Sequence, residues 1–405
     1  MKLNKTWKRQ FFTIWTGQAI SLFTSSIVQY ALIWHLTAKT ESAMVLSIAT
    51  LVGFLPTALF SPFIGSIADR YDRKKIMIFS DVGVALAALL LMVLGLMGDM
   101  SIGAIYFALF VRALGSAFQQ PCVLAITPMI VPDTQLDKCG GYTQTFQSIS
   151  LILSPAVASV LFAALPLPIL MLLDVVGAVA GVSTLLLVKI PKLTAAAAKS
   201  NLVKEAAEGL RALRKKKGLY YLTLISALFS MAYIPVGSLY PLMTLQHFGG
   251  TPYHMGLVET LFSVGMLAGG LVLGIFGGTK DKMVSIILSV FSFGVMMVIM
   301  GLLPPTAFVL FAVLTLLTGV TAPFFSTLFM ALLQQQIEGE FLGRVIGVTS
   351  SVMSLAAPVG LALSGIFAEK MGIMNWFMLS GVFTVFCAVL CVVIKPVRTA
   401  DRQKT

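Results

Sequence analysis

Twelve apolar runs of membrane length dominate this 405-residue chain, and short polar segments separate most of them. A helix needs about 20 predominantly apolar residues to cross the hydrocarbon core of a bilayer. Six runs precede a longer polar interval and six follow it. The predicted transmembrane helices cover residues 11–36, 44–68, 76–98, 101–126, 142–165, 167–188, 219–245, 254–277, 283–303, 306–332, 342–367 and 372–394.

Composition excludes a soluble protein, because only 11% of the residues are charged and the mean hydropathy is +0.95. Soluble domains carry about 25% charged residues. We therefore predict an all-α polytopic membrane protein with two pseudo-symmetric six-helix bundles. The net charge of +12 does not indicate nucleic-acid binding, since the cations lie in loops between apolar runs. The predicted domains are an N-terminal bundle (1–188), a cytoplasmic linker (189–218), a C-terminal bundle (219–394) and a tail (395–405).

The distribution of basic residues predicts the orientation of the helices. All but three of the 28 Lys and Arg residues fall on the side of the N-terminus when the twelve helices are threaded alternately. The exceptions are Lys39 and Lys370 in outer loops and Arg112 within a helix. Basic residues are retained on the cytoplasmic side, so we expect both termini in the cytoplasm.

The long central interval contains a predicted amphipathic helix. Its apolar residues recur at helical spacing, and its other face is basic. A helix of this kind typically lies on the inner face of the membrane, where it would tether the two bundles. A regulatory role is a less favoured alternative. The apolar positions are Leu202, Val203, Ala206, Leu210 and Leu213.

Two landmarks repeat between the halves. The second helix of each half ends in a glycine-containing charged turn, at Gly65–Lys75 and at Gly274–Lys282. The fifth helix of each half carries small residues around a proline, Pro155 or Pro358. Parallel six-helix repeats around a central site are typical of transporters that work by alternating access.

These motifs resemble those of the major facilitator superfamily. The first loop matches the superfamily signature Gly-x-x-x-Asp-Arg-x-Gly-Arg-Lys-Lys except at Asp72, where glycine is usual. Arg112 resembles the buried arginine of the fourth helix. The antiporter motif Gly-x-x-x-Gly-Pro-x-x-Gly-Gly is matched with small residues in place of glycine, which preserves close helix contact. The matching residues are Ser150, Ser154, Pro155, Ala158 and Ser159, and the resemblance implies that they prevent leakage.

Within that superfamily, the first half of the chain resembles the macrolide-efflux proteins in particular. The resemblance implies a secondary transporter that exports amphipathic lipophilic drugs, macrolides first, by proton antiport. The resemblance also implies a location in the bacterial cytoplasmic membrane and no cofactor beyond the proton gradient. It implies a monomer, which in some family members works with a separate ATP-binding-cassette protein. A siderophore or other metabolite exporter is the alternative. The segments that carry the resemblance are Ile14 to Ala19, Ser42 to Ser47, Leu51 to Pro56, Asp69 to Met77 and Ser148 to Val157.

The first charged loop is a predicted conformational switch. Asp69 could hold a helix N-terminus or an arginine in one state and release it in the other. The alternative is a solvated loop whose cations only set orientation. The switch residues we predict are Gly65, Asp69, Arg70 and Arg73.

Four ionisable acidic or basic residues lie within predicted spans: Asp81, Arg112, Asp174 and Glu259. Charged groups in hydrocarbon are costly, so each is a candidate for proton coupling. We expect Asp81 and Asp174 to carry protons, with Arg112 adjusting the proton affinity of a neighbouring acid, and we expect a bridge between Asp81 and Arg112. A fixed structural ion pair is the alternative for Asp81. Glu259 is predicted near the outer interface.

A polar stripe on the first helix predicts the substrate cavity. Gln18, Ser21, Ser25 and Gln29 are spaced three, four and four residues apart, which places them on one helical face. We add Gln144 and Gln147 of the fifth helix and Tyr233 of the seventh, since aromatic surfaces suit bulky ligands.

The sequence offers no catalytic set for an intramembrane enzyme. The three histidines, at 35, 247 and 254, have no metal-ligand spacing, and there is no nucleotide-binding P-loop sequence. The four cysteines include no Cys-x-x-Cys pair and are interpreted as small buried hydrophobic residues. We therefore predict neither an enzyme nor a metal site.

Overall fold

The computed structural model describes residues 6–98, 100–190, 202–277, 279 and 281–402, and for residues 58, 61–70, 202–204 and 402 it describes the backbone alone. Within these ranges the chain is helical and has no strand. The helices are α1 (Trp7–Thr40), α2 (Ala43–Arg70), α3 (Arg73–Leu96), α4 (Ile102–Ile130), α5 (Leu136–Ala164), α6 (Leu167–Leu170), α7 (Leu172–Leu187), α8 (Leu202–Lys215), α9 (Lys217–Gln246), α10 (Pro252–Phe276), α11 (Lys282–Leu302), α12 (Phe308–Gln336), α13 (Gly339–Met371), α14 (Ile373–Val393) and α15 (Lys395–Arg398).

The predicted all-α membrane architecture is confirmed. Eleven helical segments in the described residues are long and apolar enough to cross a membrane, with α6 and α7 together forming one of them. The predicted second span corresponds to α2, a helix of 28 residues whose part Ala43–Thr57 is apolar by the same measure. Eleven of the twelve predicted spans therefore coincide with one long helix each, and the sixth coincides with the pair α6 and α7.

The helices form two compact units. The first, here called the N-terminal unit, contains Met1–Lys39 and Val52–Lys199. The second, the C-terminal unit, contains Thr40–Leu51 and Ser200–Thr405. The first turns of α2 thus group with the C-terminal unit, while the rest of this helix groups with the N-terminal unit.

In the N-terminal unit, α3 packs against α4 and α7. Two of these helices begin with side-chain caps, which satisfy backbone N–H groups that a helix leaves free at its start. The Asp72 carboxylate accepts a hydrogen bond from the Lys74 N–H at 3.0 Å, and the Ser101 hydroxyl accepts one from the Ala104 N–H at 3.2 Å. Asp72, the one departure from the superfamily signature, therefore begins α3.

In the C-terminal unit, small residues let helices approach closely. A Cβ atom added to Gly319 of α12 would lie 2.2 Å from the Phe262 carbonyl oxygen and 3.1 Å from the Gly265 Cα of α10. The pair α11 and α14 uses Gly294 and Gly381 in the same way. Glycine permits such backbone contact, which is a main source of helix association within membranes.

The linker helix predicted from its apolar periodicity is present as α8. This helix is docked on α13: Glu208 forms an ion pair with Arg344 at 2.9 Å, and Gly209 abuts the Arg344 backbone. Leu213 is 1% exposed. The apolar face of α8 is therefore covered in part by the protein, where we expected the membrane surface alone.

The start of α2 is held by α13 within the C-terminal unit. The Glu369 carboxylate accepts hydrogen bonds from the Ser42 hydroxyl at 3.0 Å and from the Met44 N–H at 3.1 Å. One helical turn further, the hydroxyls of Ser47 and Ser364 are 2.9 Å apart. An acidic side chain at a helix N-terminus stabilises the exposed N–H groups there, so Glu369 caps α2 from a distant part of the chain.

Candidate functional site

The polar face of α1 lines two adjoining cavities inside the N-terminal unit. Gln18, Ser21 and Ser25 line the first, which has a volume of about 430 Å³. Ser25 and Gln29 line the second, of about 340 Å³, together with Arg112. The four residues of the predicted stripe thus lie along one continuous polar surface.

Asp81 lies at the centre of the first polar cluster, here called the Asp81 cluster: Gln18, Ser21, Asp81 and Gln119. Asp81 Oδ1 accepts hydrogen bonds from the Ser21 hydroxyl at 3.1 Å and from Gln119 Nε2 at 2.9 Å. Gln119 Nε2 also donates to Gln18 Oε1 at 2.7 Å. Asp81 is only 3% exposed, so α1 and α4 bring neutral polar groups around a buried acid on α3.

Arg112 is at the centre of a second cluster, here called the Arg112 cluster: Ser25, Gln29, Arg112 and Asp174. Arg112 forms an ion pair with Asp174, and both residues are buried. Its guanidinium also donates to the Ser25 carbonyl and hydroxyl oxygens and, at 3.4 Å, to Gln29 Oε1. The cation is thus surrounded by acceptors on α1 and α7.

The predicted bridge between Asp81 and Arg112 is wrong. Arg112 binds Asp174, while Asp81 binds Gln119, which lies seven residues further along α4. Seven residues are two helical turns, or about 10.5 Å along the axis. Asp81 therefore lies at the level of Gln119, and Arg112 lies about two turns away, at the level of Asp174 of α7.

Two glycines of α7 make room for the polar clusters. A Cβ atom added to Gly181 would lie 2.8 Å from Asp81 Oδ2 and 3.2 Å from Gln18 Nε2. One added to Gly177 would lie 3.1 Å from the Ser21 Cα. The absence of side chains here lets α1 and α3 present their polar groups directly against α7.

Apolar side chains form much of the wall of the larger cavity. Trp15 and Phe146 contact each other edge to face, with ring centroids 5.6 Å apart. Gln147 also lines this cavity, whereas Gln144 is exposed and lines neither cavity. Other lining side chains are Phe11, Leu22, Val84, Val123 and Leu124.

Glu259 and Tyr233 belong to the C-terminal unit. Glu259, on α10, is half-buried, and α10 packs against α9, the helix that carries Tyr233. Tyr233 stacks on Phe229 with centroids 5.6 Å apart and meets Phe293 edge to face at 5.4 Å. Tyr233 thus belongs to an aromatic cluster and lines neither of the two cavities described above.

The residues of the antiporter-like motif are all buried on α5. The Ser159 hydroxyl donates to the Ala156 carbonyl at 2.8 Å. The hydroxyls of Ser150 and Ser154 have no hydrogen-bond partner among the described residues. These small side chains are thus buried on α5, and their role in preventing leakage stays a prediction.

Arg73 and Lys74 bind backbone carbonyls of neighbouring helices. The Arg73 guanidinium donates to the Ala125 carbonyl of α4 at 3.0 Å, and Lys74 Nζ donates to the Val188 carbonyl that ends α7 at 2.9 Å. Cations are favourable near helix C-termini. The other predicted switch residues, Gly65, Asp69 and Arg70, lie outside the described side chains, so their contacts stay a prediction.

No group of three or more His, Cys, Asp or Glu residues in the described part of the chain could hold a metal ion. All four cysteines are buried, as small hydrophobic residues would be, and none of them forms a disulfide in the described part of the chain.

Comparison with curated proteins shows close relatives. The chain is 44% identical over 403 residues to macrolide efflux protein A of Streptococcus pyogenes, which covers 99% of this chain and 100% of the relative. The protein of the same name from Enterococcus faecalis is 44% identical over 322 residues, or 79% of this chain and 99% of that one. The multidrug efflux pump Tap of Mycolicibacterium fortuitum is 24% identical over 385 residues, 91% of each chain.

Solved structures share the fold. The nucleoside transporter NupG matches with a TM-score of 0.78 at 15% identity, over 96% of this chain and 100% of that one. A D-xylose-proton symporter matches with a TM-score of 0.72 at 12% identity, over 96% and 98%. The family model described as transmembrane secretion effector matches residues 5–405. This chain belongs to that family of the major facilitator superfamily, and it is a multi-pass membrane transporter and not an enzyme.

Proposed function

We propose that this protein exports amphipathic lipophilic drugs, macrolides first, from the cytoplasm or the inner leaflet of a bacterial cytoplasmic membrane. The observation that carries the proposal is the 44% identity to macrolide efflux protein A across almost the whole of both chains. The multidrug efflux pump among the more distant relatives supports export of drugs as a class.

The larger cavity of the N-terminal unit supports this substrate class. Pockets for small molecules are mostly apolar, with a few polar groups that fix the orientation of the ligand. The cavity has aromatic and aliphatic walls and a polar side formed by the Asp81 cluster. Its volume of about 430 Å³ accommodates part of a large amphipathic molecule.

Proton antiport through alternating access is the driving mechanism we propose. Asp81 and Asp174 are buried within transmembrane helices, where ionisable groups commonly mark proton pathways. Asp174 is already paired with Arg112, whereas Asp81 accepts hydrogen bonds from neutral groups only. Asp81 is therefore the acid we expect to exchange a proton, and Glu259 is a second candidate in the C-terminal unit.

Transport into everted membrane vesicles tests the proposal. Vesicles that contain the protein are energised by an inward-acid proton gradient, and uptake of a radiolabelled macrolide is measured with and without an uncoupler. We expect uptake above that of vesicles lacking the protein and its collapse on addition of the uncoupler. Uptake that resists the uncoupler would exclude proton coupling. No uptake in either condition would exclude the macrolide as substrate.

A further inference from the structure

The Asp81 carboxylate is a buried acid surrounded by neutral donors. We propose that it is the counter-ion for the protonated amine of a lipophilic cation bound in the larger cavity of the N-terminal unit, an inference that rests on the proposed drug-export function. The cavity would then select ligands that combine a basic amine with a bulky apolar body.

The contacts of Asp81 are the first observation. One carboxylate oxygen, Oδ1, accepts hydrogen bonds from Ser21 and Gln119. The other, Oδ2, has no well-formed hydrogen bond among the described residues, although the Gln18 amide lies beside it. A buried polar atom without a good partner is costly, and sites that bind ligands are one place where such atoms are tolerated.

The nearby cations of the N-terminal unit already have other partners. Arg112 is held by Asp174, Ser25 and Gln29. Arg73 binds the Ala125 carbonyl of α4, and Lys74 binds the Val188 carbonyl that ends α7. No ion pair in the described residues involves Asp81, so a cation from a ligand would supply the missing charge. A buried charge is tolerated when it is paired and hydrogen-bonded.

The surrounding groups suit an ammonium ion as well as a carboxylate. A glutamine amide carries both a donor and an acceptor, so Gln18 and Gln119 can turn their oxygens toward an ammonium that approaches Asp81. Trp15 and Phe146 line the same cavity. Aromatic faces attract cations and cover apolar surface, which fits the two parts of such a ligand.

A binding experiment separates charge recognition from drug binding. Purified protein in detergent is titrated with a radiolabelled macrolide that carries a dimethylamino sugar and with its neutral derivative, in which an acetyl group replaces one of the two N-methyl groups so that the nitrogen is an uncharged amide. In the wild-type protein we expect the amine to bind at least about tenfold more tightly, a difference of about 1.4 kcal/mol.

Three variants assign the preference. In Asp81→Asn the dissociation constants of the amine and of its neutral derivative should agree within about twofold, because the charge that favours the amine is gone. The neutral derivative should bind as tightly as it does to the wild type. Asp81→Glu retains the charge and should keep the preference for the amine. Asp137→Asn removes an exposed carboxylate at the start of α5 and should leave both constants unchanged.

The outcomes distinguish this inference from the function on which it rests. A preference for the amine that persists in Asp81→Asn would overturn the assignment. Equal binding of both ligands by the wild type would also overturn it, although macrolide binding itself would then stand. A wild-type protein that binds neither ligand would refute the proposed substrate and this assignment together. If Asp81→Asn loses both ligands, Asp81→Glu decides: loss of the amine preference there would overturn the assignment.

Discussion

The buried pair of Arg112 and Asp174 allows a quantitative test of the site. Breaking a buried ion pair by removing one partner typically costs about 3–5 kcal/mol, because the other charge is left uncompensated. In Asp174→Asn, Arg112 keeps its hydrogen bonds to Ser25 and Gln29, so we expect a loss of about 3 kcal/mol in the free energy of unfolding.

The reciprocal variant should be worse. Asp174 Oδ1 has no hydrogen-bond partner among the described residues, and Oδ2 is bound by Arg112. Arg112→Gln therefore removes the main donor to the carboxylate, and we expect a loss of about 5 kcal/mol in the free energy of unfolding. In the double variant neither charge remains, so its loss should be smaller than the sum of the two single losses by about 2 kcal/mol or more.

The measurement is equilibrium unfolding of the purified protein in mixed micelles, with the free energy of unfolding extracted for the wild type and the three variants. The control is a second cycle that combines Arg112→Gln with Asp81→Asn. Because Asp81 bonds to Gln119 and not to Arg112, those two losses should add within about 0.5 kcal/mol. Additivity in the first cycle, or strong coupling in the second, would refute the pairing described here.

Four further substitutions, one of them a control, test the packing and the caps. Gly181→Ala places a methyl group 2.8 Å from Asp81 Oδ2, so it should cost about 1–3 kcal/mol of stability and weaken ligand binding. Gly83→Ala is the control: its added methyl group would have no atom within 4 Å, so it should be neutral or stabilising. Equal midpoints of thermal unfolding for the two variants would contradict this expectation. Asp72→Ala should lower the free energy of unfolding by about 1 kcal/mol through loss of the α3 cap, and an unchanged value would exclude that role. Glu369→Ala should accelerate amide exchange in the first turn of α2 and leave α3 protected; unaltered exchange at α2 would count against the cap.

The twelve helices could be predicted from the sequence because a bilayer imposes a minimum length on each apolar run. The polar stripe on α1 could also be predicted from the sequence, because its four residues follow the helical period. The structure places Gln18, Ser21, Ser25 and Gln29 along adjoining cavities. Both predictions depend only on the local period of the sequence and on the thickness of the bilayer.

The partners of the buried charged residues depend on how far each helix is shifted along its neighbour. The sequence shows that shift only indirectly. Gln119 was overlooked, although Arg112, Ser116 and Gln119 are spaced four and three residues apart and share one face of α4. Counting turns along α3 and α4 would have placed Asp81 opposite Gln119. The roles of Gly177 and Gly181 depend on how α7 is rotated against α1, and that rotation follows from packing that no single helix specifies.

Asp72 shows how the repeated halves explain a departure from a motif. Asp281 begins α11 as Asp72 begins α3, and each accepts a hydrogen bond at 3.0 Å from the backbone N–H two residues further on. Asp281 follows Gly274 by the same seven residues that separate Asp72 from Gly65. A basic residue follows each cap, and Lys282 pairs with Asp401 at 3.6 Å. The carboxylate that departs from the superfamily signature is therefore the element that the two loops share, and its function is to begin the next helix.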